Sequence, residues 1–492
     1  MADSRPDPSP LDKTYSDLLA RRKSHNRFRT LTLRDPGAVD FSSNGYLSLS
    51  THPAIREQYL ARLAQASSSS SSSSSQDTFS LGSCGSRLLD GNSPLAEKLE
   101  REIAAFHGAP AALLFNSGFE ANTGLFGCAP QTGDVVVYDE LIHASVHDGI
   151  RLSRAEGLAF AHNCVRRRVD MDGAPSGHAA GGLPSLEEVL EGLEDLEQGG
   201  GGDASGDMGR DGDGHGDEMT MTTTTTTNNK RKRQRRRNVF VAVEAVYSMD
   251  GDVAPLRTLV DCVEACLPRG NGYVIVDEAH STGWMGERGR GLVSSLGLEE
   301  RIWARVHTFG KAMGCAGAAV LCSPTTRSYL INYARSLIYT TAMGFPLLTA
   351  IQTIYDFLST GQAGPLSASL VSLMAQTHRL LGAVSRKHAP PSCLFRLPAS
   401  PPRSPILPLF SNRARSLAAH CQKRGYMVRA IVAPTVPTGT DRVRLCLHAA
   451  NTVGEVRGLC LAMEEWLEGQ LGGLGGARRV VDERGTSALS KL

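Results

Sequence analysis

Short apolar runs that each end at a polar cluster, with helix-patterned sequence between them, constrain this chain more than any other feature. They are AALLF (111–115), DVVVYD (134–139), VFVAVEAV (239–246) and GYVIVDEAH (272–280). Runs of this length and β-branched content read as strands buried on both faces. Between them lie stretches such as SPLAEKLEREIAAFHG (93–108) and SLEEVLEGLEDL (185–196). The second opens with Ser185 and Glu188 at capping-box spacing. Strand–helix alternation predicts an α/β fold with a mostly parallel sheet and ligand sites at the carboxyl ends of its strands. After about residue 336 a long helical region (337–386) gives way to Pro-rich and then strand-like sequence. That change predicts a smaller C-terminal α+β domain.

At 492 residues the chain exceeds one ordinary hydrophobic core. The expected division is an N-terminal segment (1–50), a large domain (51–335), a small domain (336–470) and a flexible tail (471–492). Two insertions, at about 67–76 and 198–238, interrupt the large domain. The first is an unbroken serine run (67–75); the second passes through Gly, Asp and Thr tracts into KRKRQRRR (230–237). Neither holds enough apolar surface to offset the entropy of ordering, so both are expected to be disordered. The basic run is read as a solvated loop rather than a nuclear address or nucleic-acid patch.

Net charge is only +2, which gives no global field toward nucleic acid or membrane. No apolar run approaches the roughly 20 residues of a membrane span, and the N-terminus lacks the apolar core of a signal peptide. Eleven cysteines occur without a CxxC pair, a pattern expected of reduced thiols in an intracellular protein. The last three residues, Ser490, Lys491 and Leu492, spell the peroxisomal import address. An import receptor is therefore an expected partner.

Chemistry concentrates in two places. In VIVDEAHSTG, Asp277 and His280 stand at the end of an apolar run, where a charge is costly without a partner. The letters DEAH also occur in nucleic-acid-dependent ATPases, but those need a GxxxxGK[ST] loop and none is present. In HTFGKAMGCAGAAV (307–320), Lys311 lies among small residues, with Gly310 and Gly314 permitting close approach of a ligand. Such a lysine is expected to have a lowered pKa and to attack aldehydes. Together the two motifs point to pyridoxal 5′-phosphate. Lys311 would hold it as a Schiff base and Asp277 would keep its ring nitrogen protonated. Its phosphate needs amide donors at a helix start. FNSGFEAN (115–122) offers those of Gly118 and Phe119, and DELIHAS (139–145) supplies His143, a flat ring able to stack.

With these residues in place, the chain resembles the α-oxoamine synthases. These are fold-type I pyridoxal phosphate enzymes that condense an amino acid with an acyl-CoA. The resemblance covers roughly 40–345 and 405–455 and rests on FSSNGYLSLSTHP, GSCGSRLLDGNSPLAEKLE, LLFNSGFEAN, DELIHASVHDGIRLS, FAHN, VEAVYSMDGDVAPL, VDEAHSTGWMGERGRGL, HTFGKAMGCAGAAV, LIYTTAM and PTVPTGTDRVRL. It implies a large domain with a mostly parallel seven-stranded sheet. It further implies that His280 and Ser248 approach the cofactor's phenolic oxygen and that Gly118, Phe119 and Thr308 bind its phosphate. Thr340 or Thr341 would arrive from a second subunit of a homodimer. Asn44 and Arg444 would hold the amino-acid carboxylate. VYSMDGDVAPL, FAHN, LIYTTAM and PTVPTGT look most like the 8-amino-7-oxononanoate synthases of biotin synthesis, which implies L-alanine and pimeloyl-CoA as substrates. The alternatives are another member, such as a glycine C-acetyltransferase, or a non-catalytic scaffold paralogue. Arg27 and Arg29 in RRKSHNRFR (21–29) are candidates for the distal pimeloyl carboxylate. The chain departs from the family's pattern at Val432, where an arginine is common, and at Ala96 and Asn451, where histidines are frequent.

Overall fold

The computed structural model describes residues 9–25, 27–33, 35–68, 79–167, 182–199 and 237–485. After a short strand β1 (Val39–Asp40), the chain builds a seven-stranded sheet. Its strands are β2 (Ala111–Phe115), β3 (Val135–Asp139), β4 (Glu156–Phe160), β5 (Val239–Glu244), β6 (Gly272–Asp277), β7 (Ala304–Thr308) and β8 (Ala318–Cys322). Their order is β2-β8-β7-β6-β5-β3-β4. Only β8 runs antiparallel to its neighbours, so the expected mostly parallel sheet is what forms.

Alternation along the strands feeds two apolar layers. Val135, Val137, Val241, Val243 and Val276 pack on one face with Leu186, Leu190 and Leu259. Val136, Phe240, Ala242 and Ile275 pack on the other with Leu125 and Val146. Every residue of β5 is buried, as a sheet covered on both faces requires. The covering helices begin where local chemistry says they should. Ser93 caps Pro94–Phe106 by accepting from the Ala96 amide, with Pro94 in the first turn. The capping box forms in both directions, Ser185 N to Glu188 Oε2 at 2.9 Å and Glu188 N to Ser185 Oγ at 3.3 Å.

The second unit contains β9 (Ile406–Phe410), β10 (Tyr426–Met427), β11 (Arg429–Ile431) and β12 (Arg442–Cys446). A three-stranded antiparallel sheet runs in the order β11-β12-β9. The N-terminal segment does not stand apart from it. β1 pairs in parallel with β10, and the Cys446 and Ala449 amides donate to the carbonyls of Phe41 and Tyr46. Asn44 and Tyr46 are thereby fixed beside β12.

The single long helical region expected at 337–386 is three helices, Arg335–Ile338, Phe345–Ser359 and Gly364–His388. The break at 339–344 has a tertiary cause. Ala342 N donates to Gly85 O at 2.8 Å, Ser83 Oγ donates to Ala342 O at 2.7 Å, and a Cβ on Gly344 would lie 2.7 Å from Leu81 O. Those contacts hold 339–344 against 81–85 in a form no helix allows.

Ser67 and Ser68 still belong to the helix Pro53–Ser68, and Asn238 N donates to Asp134 Oδ1 at 3.0 Å at the entry to β5. The rest of the serine run, most of the basic run, and Ser490, Lys491 and Leu492 lie outside the described residues. All eleven cysteines are free thiols. Among the described residues no helix is long and apolar enough to cross a membrane.

Candidate active site

Asp277 is the last residue of β6 and is buried. Its Oδ1 accepts from the Ala279 amide at 2.9 Å and its Oδ2 from Asn122 Nδ2 at 2.8 Å. Each oxygen keeps a lone pair, so the group can still receive a ring N–H. Asn122 Nδ2 also donates to Ser145 Oγ at 3.0 Å, and Ser145 Oγ lies 2.7 Å from His143 Nδ1. The Ser145 amide donates to that same nitrogen at 3.2 Å. Nδ1 is therefore an acceptor and the ring is neutral. Burial lowers the His143 pKa, with Asp277 opposing and Lys311 adding to the fall. The helices Gly118–Cys128 and Ala144–Ser153 thus join the ring of His143 to the carboxylate of Asp277 through two intervening side chains.

Lys311 lies in the turn between β7 and β8, where Gly314 N donates to Lys311 O at 2.9 Å. Gly314 has φ +68°, and a Cβ there would meet Ser50 N at 2.5 Å. Burial lowers the Lys311 pKa; Asp277 and Glu244 oppose this and Arg444 adds to it. The result is an amine more available as a nucleophile than a surface lysine. His280 Nδ1 lies 2.7 Å from Tyr46 OH, and its carbonyl accepts from Trp284 Nε1 at 2.7 Å. Burial first, then Lys311, Arg444 and His143, hold its pKa well below the usual histidine range.

The fit of a phosphorylated aldehyde is tested at Gly118. Ser117 caps its helix by accepting from Glu120 N, which leaves the Gly118 and Phe119 amides pointing out of the first turn. A Cβ on Gly118 would lie 2.3 Å from Thr308 Oγ1. Only glycine lets that hydroxyl approach the helix start, where the three donors could together receive a phosphate. The residues present fit the cofactor.

Arg444 is buried in β12, its Nε donating to Ser248 O at 2.6 Å and its Nη2 to Asn44 Oδ1 at 2.9 Å. Both acceptors are uncharged, and among the described residues no carboxylate pairs with this guanidinium. A buried cation without an anion is costly, so the site is set to receive one. Ser248 reaches this cluster through its carbonyl. Thr340 and Thr341 lie beside Asn116 of the same chain, Asn116 Nδ2 donating to Thr340 Oγ1 at 3.3 Å and to Thr341 O at 2.9 Å. Arg27 and Arg29 are exposed after the helix Pro10–Ser24, and none of these site residues bonds to them. Val432 is half-buried beyond β11, Ala96 is buried in its helix, and Asn451 Oδ1 accepts from His448 N at 2.9 Å.

Several residues of the site had no role assigned from sequence. Asn122, Ser145 and Tyr46 sit inside the quoted motifs but become meaningful only through their partners. Glu244 is 3% exposed, its Oε1 has no partner, and it is the register partner of Asp277. Its signal was a single acid within VFVAVEAV. His162 of FAHN bridges Asp139 Oδ1 at 2.8 Å and Asp252 Oδ2 at 2.6 Å. Burial pulls its pKa down, but the two carboxylates outweigh that and push it up to about 10.

Comparison with known proteins agrees with this geometry. A serine palmitoyltransferase from S. paucimobilis, solved with a bound PLP–myriocin aldimine, superposes with a TM-score of 0.68 at 22% identity, covering 93% of this chain and 98% of that one. An 8-amino-7-oxononanoate synthase from Francisella tularensis gives 0.59 at 21% identity, covering 89% and 100%. At such identities the likeness establishes the fold. In sequence, the 8-amino-7-oxononanoate synthase of Emericella nidulans is 46% identical over 94% of this chain and 97% of its own length. That of Chlorobaculum parvum is 30% identical over 92% and 99%. Residues 36–175 and 216–463 match the family described as Aminotransferase class I and II. The chain belongs to that family, and within it is a pyridoxal-phosphate-dependent α-oxoamine synthase of the 8-amino-7-oxononanoate synthase-like kind.

Proposed function

We propose that this enzyme condenses L-alanine with pimeloyl-CoA, giving 8-amino-7-oxononanoate, CoA and CO₂. The observation that carries the reading is the unpaired, buried Arg444 beside Asn44 in a site that also holds Lys311 and Asp277. The similarity to the Emericella nidulans synthase supports the choice of substrates. When bound, pyridoxal phosphate supplies an aldehyde for the amino group and a ring that draws electron density from the α-carbon. Asp277 would keep that ring's nitrogen protonated. Gly118, Phe119 and Thr308 would receive its phosphate, and the neutral ring of His143 would stack on it. His280 and Ser248 would attend the phenolic oxygen. Arg444 and Asn44 fix the substrate carboxylate, which sets the α-hydrogen toward Lys311. Lys311, whose pKa burial lowers, would take that proton and later return one. A carbon–carbon bond forms as the thioester carbon–sulfur bond breaks, and the carboxyl group leaves as CO₂.

Several exposed apolar side chains support a homodimer. Leu81 is 83% exposed, Leu89 77%, Tyr339 71% and Phe119 48%. They belong to segments that touch one another through Ala342–Gly85, Asn116–Thr340 and Ser336–Glu120 contacts. Exposed apolar side chains gathered on touching segments are what an interface would use. These adjoin the proposed phosphate site, so a second subunit would bring its own residues, Thr340 or Thr341 among them, to the site. Import into peroxisomes through Ser490, Lys491 and Leu492 is part of the same reading. A fluorescent fusion that keeps its free C-terminus would test it, with deletion of the three residues as control.

The decisive test is release of free CoA across paired substrates. Alanine with pimeloyl-CoA is expected to exceed glycine with acetyl-CoA and serine with palmitoyl-CoA. A faster glycine reaction overturns the assignment.

A further inference from the structure

A cavity of about 420 Å³ opens between the turn 250–253, the helix Gly364–His388 and β9. Its size is in the range of small-molecule pockets, about 300–1,000 Å³. Val253, Leu397, Pro398, Pro402, Leu407 and Pro408 give it an apolar floor. Its acids are already engaged, although His162 is shared between Asp252 and Asp139. Asp250 is paired with Arg442, and Asp252 is held by His162 and Asn163. Its other cations are not. Arg396 and Arg403 line the cavity, and no described carboxylate forms an ion pair with either. The net free charge of the pocket is therefore positive.

Arg396 is also pre-organised. Its backbone exchanges two hydrogen bonds with Phe410, at 3.1 and 2.9 Å, and its guanidinium lies 4.0 Å over the Phe410 ring. Arg442 approaches the same ring at 4.8 Å. Of these two stacked arginines, Arg442 is spent on Asp250 and Arg396 keeps its fork unused. A stacked, oriented guanidinium loses little freedom on binding an oxyanion. The back wall is rigid as well. Ser404 Oγ donates to Gly251 O at 2.6 Å, and Gly251, at φ +72°, leaves no room for a Cβ against Ile406 O.

We propose that this cavity binds an oxyanion, a carboxylate or a phosphate, carried on an aliphatic body. Arg396 and Arg403 take the anion and the proline-rich floor takes the body. The site is separate from the Asn44–Arg444 pair. It adjoins that pair on two sides, through the turn that begins after Ser248, whose carbonyl Arg444 holds, and through Pro408, the register partner of Arg444 on β9.

The test is calorimetric titration of the cofactor-loaded enzyme with octanoate, octyl phosphate and octanol. Saturable binding of at least one anion, with octanol weaker by about tenfold or more, is expected. The tighter of the two anions identifies which oxyanion the site is built for. R396E/R403E should weaken binding by at least about tenfold while CoA release is unchanged. R403Q, on an exposed loop, gives the same direction should the double variant fail to fold. Absence of saturable binding, octanol binding as tightly as the anions, or equal binding by wild type and variants overturns the proposal.

Discussion

Glu244 and Asp277 are register partners on adjacent parallel strands, so two carboxyl groups leave the sheet side by side on one face. Burial, then the nearby Asp277, raises the Glu244 pKa well above its ordinary value of 4.5; Asp139 adds to this, while Lys311 and the His143 amide oppose it. Burial thus favours the protonated form of Glu244 and leaves Asp277 as the candidate partner for a ring N–H.

The pH dependence of stability tests this directly. A raised folded-state pKa contributes stability that is complete below the unfolded value and is lost as pH rises toward the folded value. Glu244→Gln removes that loss. The variant should gain on wild type by about 1.4 kcal/mol for each pH unit above the unfolded value until Glu244 ionises. Thermal unfolding from pH 5 to 8 measures the difference, and a gap that stays constant with pH would rule out the neutral acid.

Lys311→Ala should remove the visible absorption of the cofactor-loaded protein. It should also lower CoA release by about three orders of magnitude, the scale of losing a positioned acid–base group. Circular dichroism should be unchanged. A retained visible band would place the covalent attachment elsewhere and would also revive the scaffold reading.

Arg444→Lys keeps the charge but loses the planar fork that reaches Ser248 O and Asn44 Oδ1 together. The KM for the amino acid should rise by about 10- to 100-fold, the worth of one or two charge-assisted hydrogen bonds. The KM for the thioester should hardly move. Steady-state kinetics with each substrate varied in turn separates the two, and an equal rise in both would contradict the carboxylate role.

Leu81→Glu with Leu89→Glu should convert a dimer to monomers in sedimentation velocity and reduce turnover with it. Both side chains are exposed in the single chain, so the fold itself should keep its melting temperature to within a few degrees. A wild-type protein that sediments as a monomer would remove the shared-site reading.

Asp277 was legible as a candidate because it ends a strand-like run, and Lys311 because it lies among small residues between Gly310 and Gly314. Strands β2, β3, β5 and β6 were readable as runs of that kind. The Tyr46–His280 contact spans 234 positions, and no local pattern records a separation of that size. β1 and β10 are two residues each, too short to leave an alternation. The break at 339–344 was missed because YTTAM is compatible with a helix, and the contacts with 81–85 that forbid one lie far away in sequence. Glu244 was visible as an acid in an apolar strand, but its neighbour across the sheet was needed to make it part of the site.

The pairing of β1 with β10 has a consequence for biosynthesis. Asn44 is made before Arg444, its partner 400 positions further along the chain. The strands of the central sheet all precede Arg444 in the chain, so the sheet that carries Asp277 can close before Asn44 has its partner. Under the proposed function, the grip on the amino acid would then be the last part of the site to form.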